Sequence, residues 1–434
     1  MKKVALHSLG CKVNAYETEA MQQLLIKAGY EIVPFDVGAD IYIINTCTVT
    51  NIADRKSRQM LHRAKKMNPH ALVVAAGCYV QTAGEKVCED DSIDLIIGNN
   101  KKKDLISILE NYEKGRGTET LIDINHTKEY EGLSLEKTAE HTRAYVKVQD
   151  GCNQFCSYCI IPYARGRVRS RRPEEVQKEV EQLAANGYQE VVLTGIHLSS
   201  YGVDLEKGDL LSLIETVHRV QGIRRIRLGS LEPRIITKEF VQALSGKEKL
   251  CPHFHLSLQS GCDTVLKRMN RRYSTEEYEK ACILLRRAFE HPALTTDVIV
   301  GFPGETQEEF EKTEEFLKHI QFFQTHIFKY SRRKGTKADR MEGQITEAVK
   351  AERSRILLKL NAENEKRYLK EQLGCQVEIL VEEPIEVQGN YYQSGHTKEY
   401  CKAIFSSKRN FTGQVVQAVA EKQLENELLL CKLI

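Results

Sequence analysis

Residues 151–172 read GCNQFCSYCIIPYARGRVRSRR and place Cys152, Cys156 and Cys159 within eight positions. Metal sites built only from cysteine usually have four ligands. No Cys or His lies between Cys159 and His197 to complete a tetrahedral zinc site, and the Cys-Pro run of ferredoxin-type clusters is absent. Both absences disfavour zinc and a four-cysteine cluster. The segment therefore predicts a 4Fe–4S cluster with three protein ligands and one iron left open to a small molecule.

The C-x3-C-x2-C spacing, with Tyr158 directly before the last cysteine, resembles the signature of radical S-adenosylmethionine enzymes. The resemblance implies that the open iron chelates S-adenosylmethionine (SAM) and that one electron cleaves it to give a deoxyadenosyl radical. It makes Cys152, Cys156 and Cys159 the catalytic ligands and Tyr158 a cofactor contact. In such enzymes the protein orients the cofactor and excludes water. The resemblance also implies a partial (βα)6 barrel.

The sequence around this segment alternates predicted strands and helices in two blocks. Strands such as KVALHSLG and IYIINT, with helices between them, predict a doubly wound parallel α/β domain over residues 1–115. Residues 116–140 are polar and weakly periodic, as in a linker or a surface excursion. Residues 141–365 hold about six βα units, short of the eight in a closed TIM barrel. Short strands over 366–434 predict a small all-β module.

Three further motifs end predicted strands of the second block, where the resemblance places cofactor contacts. LTGIHL contributes Gly195, HLSLQSG contributes Ser257 and Gln259, and DVIVGFPGET contributes Gly301 and Gly304. Glycine permits close backbone approach to a ligand, and Ser and Gln offer hydrogen bonds. LTGIHL lacks the acidic residue that often accompanies this glycine in the superfamily. For each of the three motifs, a turn with a purely structural role is the alternative interpretation.

Three more cysteines, Cys11, Cys47 and Cys78, each follow a predicted strand directly, in SLGCKVN, INTCTVT and AAGCYV. Residues just past the carboxyl ends of parallel strands share one crevice, so we expect these thiols to converge. Inert packing is the alternative, since free cysteine is among the most buried residue types. A second group of three predicts a second 4Fe–4S cluster with an open iron.

Two cysteine triads in this order and context resemble the methylthiotransferase family. The resemblance implies that the N-terminal auxiliary cluster carries a sulfur that one SAM methylates, while a second SAM at the core cluster makes the radical. The family's third part is the TRAM domain, which holds RNA, and YYQSGHTKEYCKAIF (391–405) resembles it. Residues 366–434 carry nine basic and nine acidic residues, so RNA binding there needs a local patch. Lys398 and Lys402 are candidates.

Positive charge is concentrated around Cys152, Cys156 and Cys159. The chain has a formal net charge of +3, yet seven Lys or Arg and a single acid lie between Arg143 and Arg172. This concentration indicates an acidic partner, and arginines neutralise RNA phosphates in a salt-dependent way. A solvated loop is the alternative interpretation. The predicted RNA-binding arginines are Arg165, Arg167, Arg169, Arg171 and Arg172.

SLGCKVNAYE, RLGSLEP and IIPYARGR resemble the threonylcarbamoyladenosine branch of the family. That branch implies methylthiolation of carbon 2 of N6-threonylcarbamoyladenosine, next to the anticodon of tRNA. The alternatives are a branch acting on isopentenyladenosine in tRNA, one acting on a ribosomal-protein aspartate, and a non-enzymatic carrier of two clusters. The implied cofactors are two 4Fe–4S clusters and SAM. The implied partners are tRNA, an electron donor such as a flavodoxin or ferredoxin, and a sulfur source.

Composition indicates the compartment. The N-terminus MKKVALHSLG lacks the apolar run of a secretory signal, and no window is apolar over the length of a membrane helix. Thirteen cysteines in so long a chain favour reduced thiols or metal ligands over disulfides. We therefore expect a cytoplasmic protein without membrane contact.

Overall fold

The N-terminal domain is built on a parallel sheet of five strands in the order β2-β1-β3-β4-β5. The computed structural model describes residues 1–118, 120–137, 142–425 and 427–434. The strands are β1 (Lys3–Ser8), β2 (Glu31–Ile32), β3 (Ile41–Thr46), β4 (Leu72–Gly77) and β5 (Leu95–Ile97). The helices are α1 (Lys12–Lys27), α2 (Asn51–Met67), α3 (Cys78–Ala83) and α4 (Leu105–Glu113).

Strand β3 shows why helices cover both faces of this sheet. Its sequence IYIINT is rich in β-branched residues, and all six positions are buried, as expected for a central parallel strand. Tyr42 lies in one apolar cluster with Leu61 of α2, whereas its neighbour Ile43 lies in another with Leu25 of α1. The predicted doubly wound α/β domain is confirmed.

The central domain is a partial barrel of six parallel strands with a short antiparallel strand at one edge. Two sheets, in the orders β7-β6-β8-β9 and β10-β11-β12, are linked by the parallel bridges Ile226 to Leu250 and Leu231 to Leu256. The strands are β6 (Ala144–Asp150), β7 (Arg169–Ser170), β8 (Glu190–Gly195), β9 (Arg225–Leu228), β10 (His253–His255), β11 (Ala293–Val300) and β12 (Gln324–Lys329). The helices are α5 (Ile161–Arg165), α6 (Pro173–Ala185), α7 (Leu210–His218), α8 (Lys238–Ser245), α9 (Asp263–Arg268), α10 (Thr275–Ala288), α11 (Gln307–Ile320) and α12 (Glu347–Glu371). The predicted (βα)6 architecture is confirmed.

The inner face of this barrel is polar. Along β9, Ile226 and Leu228 pack into the apolar cluster shared with the outer helices. Side chains alternate along a strand, so Arg225 and Arg227 point to the opposite, inner face. Arg227 Nε donates to Glu190 Oε1 on β8 at 2.9 Å. The inner face of the barrel is therefore occupied in part by buried ion pairs between neighbouring strands.

The C-terminal domain is a closed barrel in the order β13-β14-β15-β17-β16. Its strands are β13 (Gln376–Val387), β14 (Asn390–Thr397), β15 (Lys402–Phe405), β16 (Val415–Leu424) and β17 (Leu428–Leu433). Closure of the barrel pairs the backbone hydrogen-bonding groups of the edge strands. This architecture agrees with the predicted all-β module. The boundary predicted between residues 365 and 366 falls inside α12, which ends at Glu371. The other predicted edge of the central domain, position 141, lies outside the described residues.

The predicted linker, residues 116–140, is packed over much of the part that the structure describes. Glu131 is buried and its Oε1 accepts the backbone N–H of Lys102 at 2.5 Å. Leu133 and Leu135 are buried against Tyr16 of α1. The segment therefore fastens the N-terminal domain to the barrel. Within the described residues, every helix is too short or too polar to cross a membrane.

Candidate active site between the two cysteine triads

The N-terminal triad, Cys11, Cys47 and Cys78, follows three adjacent strands, β1, β3 and β4. The structure brings the strand ends together: a Cβ added at Gly10 would lie 2.7 Å from Cys47 Sγ. Burial, and to a smaller degree the nearby Cys78 and Cys11, raises the pKa of the Cys47 thiol to about 11. The three thiols thus follow the ends of neighbouring strands at one edge of the sheet.

Side chains from both domains surround the N-terminal triad. Asn99 Nδ2 donates to Cys78 Sγ at 3.5 Å and to the carbonyl of Ala164, in the barrel, at 2.7 Å. Arg165 Nη2 donates to Asn14 Oδ1, three residues after Cys11, at 2.6 Å. N–H donors to ligand sulfur are among the features that tune iron–sulfur clusters, so the donor set fits such a cluster.

The core triad, Cys152, Cys156 and Cys159, lies on the loop between β6 and α5. Gly151 introduces this loop at φ +71°, and a Cβ there would lie 1.8 Å from the carbonyl oxygen of Arg167. Burial raises the pKa of Cys159 to about 12, with Cys156 as the next contribution. Arg271 Nη1 donates to Cys156 Sγ at 3.3 Å. These donors and the converging thiols again fit a cluster.

Neither triad is gathered tightly enough for a single ion. In the part of the chain that the structure describes, one group of His, Cys, Asp and Glu has all its ligand atoms within 4.8 Å of one another, and it consists of His255, Asp297 and His326. Cysteine sulfurs around a multi-iron cluster are necessarily spread more widely than those around one ion. The spacing of both triads therefore suits clusters better than zinc.

A cavity of about 210 Å³ lies between the two triads. One side is formed by Val49 and Thr50, which follow Cys47, and the other by Cys159 with the residues next to it. Its remaining wall comes from the strand ends of the barrel: Gln259, Asp297, Ile299, Phe328, Lys329, Tyr330 and Ser331. Residues adjoining one triad and a cysteine of the other thus face the same cavity.

The sequence matches two family models and relatives that cover nearly its whole length. The model of the Radical SAM superfamily matches residues 146–317, and that of Uncharacterized protein family UPF0004 matches residues 3–98. The threonylcarbamoyladenosine tRNA methylthiotransferase MtaB of Bacillus subtilis is 42% identical over 422 residues, 96% of this chain and 93% of the relative. The chain belongs to the radical SAM methylthiotransferase family.

Other relatives of this methylthiotransferase agree. MtaB of Aquifex aeolicus is 42% identical, covering 87% of this chain and 92% of its own. The tRNA-2-methylthio-N(6)-dimethylallyladenosine synthase of Moorella thermoacetica is 36% identical, covering 96% and 95%. Among solved structures, the radical SAM methyltransferase TsrM of Kitasatospora setae superimposes with a TM-score of 0.58 at 16% identity, over 77% of this chain and 76% of that one. That likeness concerns the fold alone. Family membership implies SAM and a 4Fe–4S cluster as cofactors.

The predicted cofactor residues divide into two groups in the methylthiotransferase. Tyr158 and Gln259 line the cavity between the triads. The other four lie outside that lining. A Cβ at Gly195 would lie 2.8 Å from Gln149 Oε1, and one at Gly301 would lie 2.3 Å from Lys350 Cγ, so neighbouring side chains fill the space beside both.

Ser257 and Gly304 have partners of their own. Ser257 Oγ shares a hydrogen bond of 2.7 Å with Ser230. Gly304 has φ +74°, and its N–H donates to the carbonyl of Gly343 at 2.9 Å. Both residues therefore have roles in holding the protein's own loops.

Three of the five arginines predicted to bind RNA need correction, because Arg165, Arg169 and Arg171 are buried. Arg165 donates to Glu17 Oε1 at 2.7 Å and to Asp150 Oδ2 at 3.1 Å. Their guanidinium groups are used inside the protein and are unavailable to phosphate in this structure. The segment reads as a basic loop in the sequence, but three of its arginines are buried and pair with carboxylates elsewhere in the chain.

The remaining candidates for RNA contact are more accessible. Arg167, Arg172 and Lys402 are exposed. Lys398 is half-buried, and its Nζ donates to the carbonyl of Glu248 at 2.9 Å, which ties the C-terminal domain to the barrel. Arg167, Arg172 and Lys402 therefore stay candidates for RNA contact, whereas Lys398 links two domains.

Sequence reasoning missed two sets of residues in this site. The first is a buried ion network of Glu17, Lys102, Lys147, Asp150 and Arg165, which crosses from α1 to the barrel. The second is Arg333, which is buried, donates to Thr48 Oγ1 at 2.8 Å and pairs with Asp54 at 2.8 Å. It holds the loop after Cys47 against the barrel. Charged residues at buried strand positions, such as Lys147 in AYVKVQD, were the available signal.

Proposed function

We propose that the protein methylthiolates carbon 2 of N6-threonylcarbamoyladenosine in tRNA, next to the anticodon, to give the 2-methylthio derivative. One observation carries this proposal: a single cavity is lined by Cys159 of the core triad and by Val49 and Thr50, which follow Cys47 of the N-terminal triad, so that a sulfur source and a radical source can act on one bound nucleotide. The substrate is the one named for the MtaB relatives of Bacillus subtilis and Aquifex aeolicus, which are each 42% identical. The dimethylallyladenosine synthases of Moorella thermoacetica and Thermodesulfovibrio yellowstonii are 36% and 38% identical.

In this proposal each triad would hold one 4Fe–4S cluster, with two clusters in total. When bound, the core cluster supplies the electron that cleaves SAM to a radical, and the auxiliary cluster supplies the site of the sulfur. Cys152, Cys156 and Cys159 would hold the former, and Cys11, Cys47 and Cys78 the latter. The electrons would come from a small redox protein such as a flavodoxin or ferredoxin, and the sulfur from an external source.

An aromatic wall supports radical chemistry in the cavity. Tyr158 packs edge-on against Phe302 with ring centroids 6.5 Å apart, and Phe302 packs against Tyr330 at 5.6 Å. Phe302 and Tyr330 are buried. Such a wall excludes water from the reacting groups, which prevents side reactions of a reactive intermediate. Arg271 and Gln259 supply polar contacts on the same side.

An exposed surface beside the core triad suits RNA. The Arg167 guanidinium stacks over the ring of Phe155 at 4.5 Å, and Tyr163 meets that ring edge-on at 5.9 Å. Aromatic rings and arginine planes stack on unpaired bases, and Arg172 adds a further exposed charge. We propose that the anticodon loop binds here, with Lys402 on the C-terminal domain contacting its backbone.

The test uses the full chain with reconstituted clusters, SAM, dithionite and tRNA bearing threonylcarbamoyladenosine. Mass spectrometry of the digested nucleosides should show the 2-methylthio product, with release of 5′-deoxyadenosine and methionine. Parallel tRNA bearing dimethylallyladenosine should yield little product. Methylthiolation of that second tRNA alone would refute the proposed substrate, and redox cycling without 5′-deoxyadenosine would refute the enzymatic role.

A further inference from the structure

The cations around the inner face of the barrel are paired with carboxylates inside the protein. Lys147 Nζ lies 2.6 Å from Glu17 Oε1 and 2.6 Å from Asp150 Oδ2. Arg227 Nε lies 2.9 Å from Glu190 Oε1, and Arg143 pairs with Glu382. These positive charges are neutralised by the fold and have little capacity left for an anionic ligand.

Lys12 differs from these cations. It directly follows Cys11 and is the first residue of α1. The described residues offer its ammonium no hydrogen-bond or ion-pair partner, and its side chain is accessible to solvent. Gly10, two residues before it, lies against Cys47, so the start of α1 adjoins the N-terminal triad. An unpaired ammonium thus stands beside that triad.

The cavity between the triads adjoins the same N-terminal triad. Val49 and Thr50, which follow Cys47, line it, and so does Asp297 on β11. His255 Nε2 lies 3.2 Å from Asp297 Oδ2, so this carboxylate already has a partner. Lys12 and the cavity therefore lie beside one triad, Lys12 next to Cys11 and the cavity next to the residues after Cys47.

We infer that Lys12 is a specificity-determining residue whose ammonium pairs with the carboxylate of the threonylcarbamoyl group. This inference rests on the proposed function. Carbon 2 of the adenine must approach the auxiliary cluster to receive its sulfur, and Lys12 is next in sequence to a proposed ligand of that cluster. The threonyl carboxylate is the one charged group on the modified base, and an ammonium without a carboxylate partner in the described part of the protein can form a charge-assisted pair with it. A dimethylallyl group offers no such charge.

The test compares three variants of the reconstituted full chain. Lys12→Gln removes the charge and keeps a polar side chain of similar reach, whereas Lys12→Arg keeps the charge. Lys27→Gln, at the exposed end of the same helix in a pair with Glu136, is the matched control. Iron content and the absorption spectrum of each variant report cluster assembly independently of turnover. The substrates are tRNA bearing threonylcarbamoyladenosine and the same tRNA with the threonyl carboxylate converted to its methyl ester.

Lys12→Gln should raise KM for the acid substrate roughly tenfold to hundredfold, the size of a lost charge-assisted pair. Lys12→Arg should recover much of this loss, and Lys27→Gln should match the wild type. The ester should raise the wild-type KM by a similar factor and add nothing to Lys12→Gln, since a double-mutant cycle isolates the pair. Additive effects of ester and variant, or an unchanged KM in Lys12→Gln, would overturn the inference. A wild-type enzyme inactive on the acid substrate would instead refute the proposed function, and the inference with it.

Discussion

Glu17→Gln should weaken the junction between the N-terminal domain and the barrel far more than the loss of an ordinary carboxylate. Glu17 is fully buried on α1, with Lys147 Nζ at 2.6 Å, Arg165 Nη1 at 2.7 Å and Lys102 Nζ at 3.0 Å. Burial alone would raise the pKa of this carboxyl, but Arg165, Lys102 and Lys147 hold it well below its usual range. Glu17 is therefore an ionised group that three cations share.

The expected cost follows from this geometry. Removing one partner of a buried ion pair costs about 3–5 kcal/mol. Lys147 and Arg165 keep their contacts to Asp150, so Glu17→Gln strands mainly Lys102. At roughly 2 °C per kcal/mol for a large chain, the thermal midpoint should fall by roughly 6–10 °C. Lys102→Met in the same background should restore part of the loss, because it removes one stranded charge.

Circular dichroism melting of the full chain at pH 7 measures this effect. The control is Glu136→Gln, which breaks an exposed contact of 2.5 Å with Lys27 on the same helix. Exposed pairs contribute about 0–1 kcal/mol, so the control should leave the midpoint nearly unchanged. A Glu17→Gln midpoint equal to that of the control would refute the account of the buried network.

Three other predictions concern the clusters, the RNA surface and pH. Cys47→Ala should remove about half the iron and leave SAM cleavage, whereas Cys156→Ala should abolish cleavage; unchanged iron in Cys47→Ala would count against the auxiliary site. Arg167→Ala should weaken tRNA binding and reduce its salt dependence by about one phosphate contact, measured by filter binding over a salt series, and an unaltered slope would contradict the stacking surface. Burial, with Arg143 and Arg227, lowers the pKa of His396 to about 3. Because the folded pKa lies below the ordinary value of about 6.5, the stabilising contribution of neutral His396 is complete above that pH and declines as pH falls toward 3. Proteolysis between α12 and β13 should therefore accelerate from pH 7 to pH 5, and less so in His396→Asn; equal acceleration in both proteins would argue against this group.

The parts predictable from sequence were those set by local periodicity. β-branched runs separated by amphipathic helices predicted the succession of strands and helices along the chain. Residues at the carboxyl ends of adjacent parallel strands must lie at one edge of the sheet. The convergence of Cys11, Cys47 and Cys78 followed from that rule without knowledge of any side-chain contact. The six βα units of the barrel followed in the same way.

The parts that were missed depend on partners distant in sequence. Arg165 lies in a run that reads as a basic loop, but its partner Glu17 is 148 residues away, and nothing local identifies it. Glu131 lies in a polar segment without periodicity, yet it caps backbone N–H groups at Lys102 and Lys103. Gly301 was assigned to a cofactor because glycine permits close approach, and the group that approaches is the side chain of Lys350.

The contacts that join the N-terminal domain to the barrel have a consequence for the catalytic cycle. The Glu17 network, the hydrogen bond from Tyr130 to the carbonyl of Lys147 and the Arg333 contact to Thr48 join the domains at three separate places. A hinge between them would have to expose several charges at once, so the joint opposes a change in the separation of the two cysteine triads. Positioning of the nucleotide for both centres must therefore be achieved by how the RNA enters the cavity, without closure of one domain on the other.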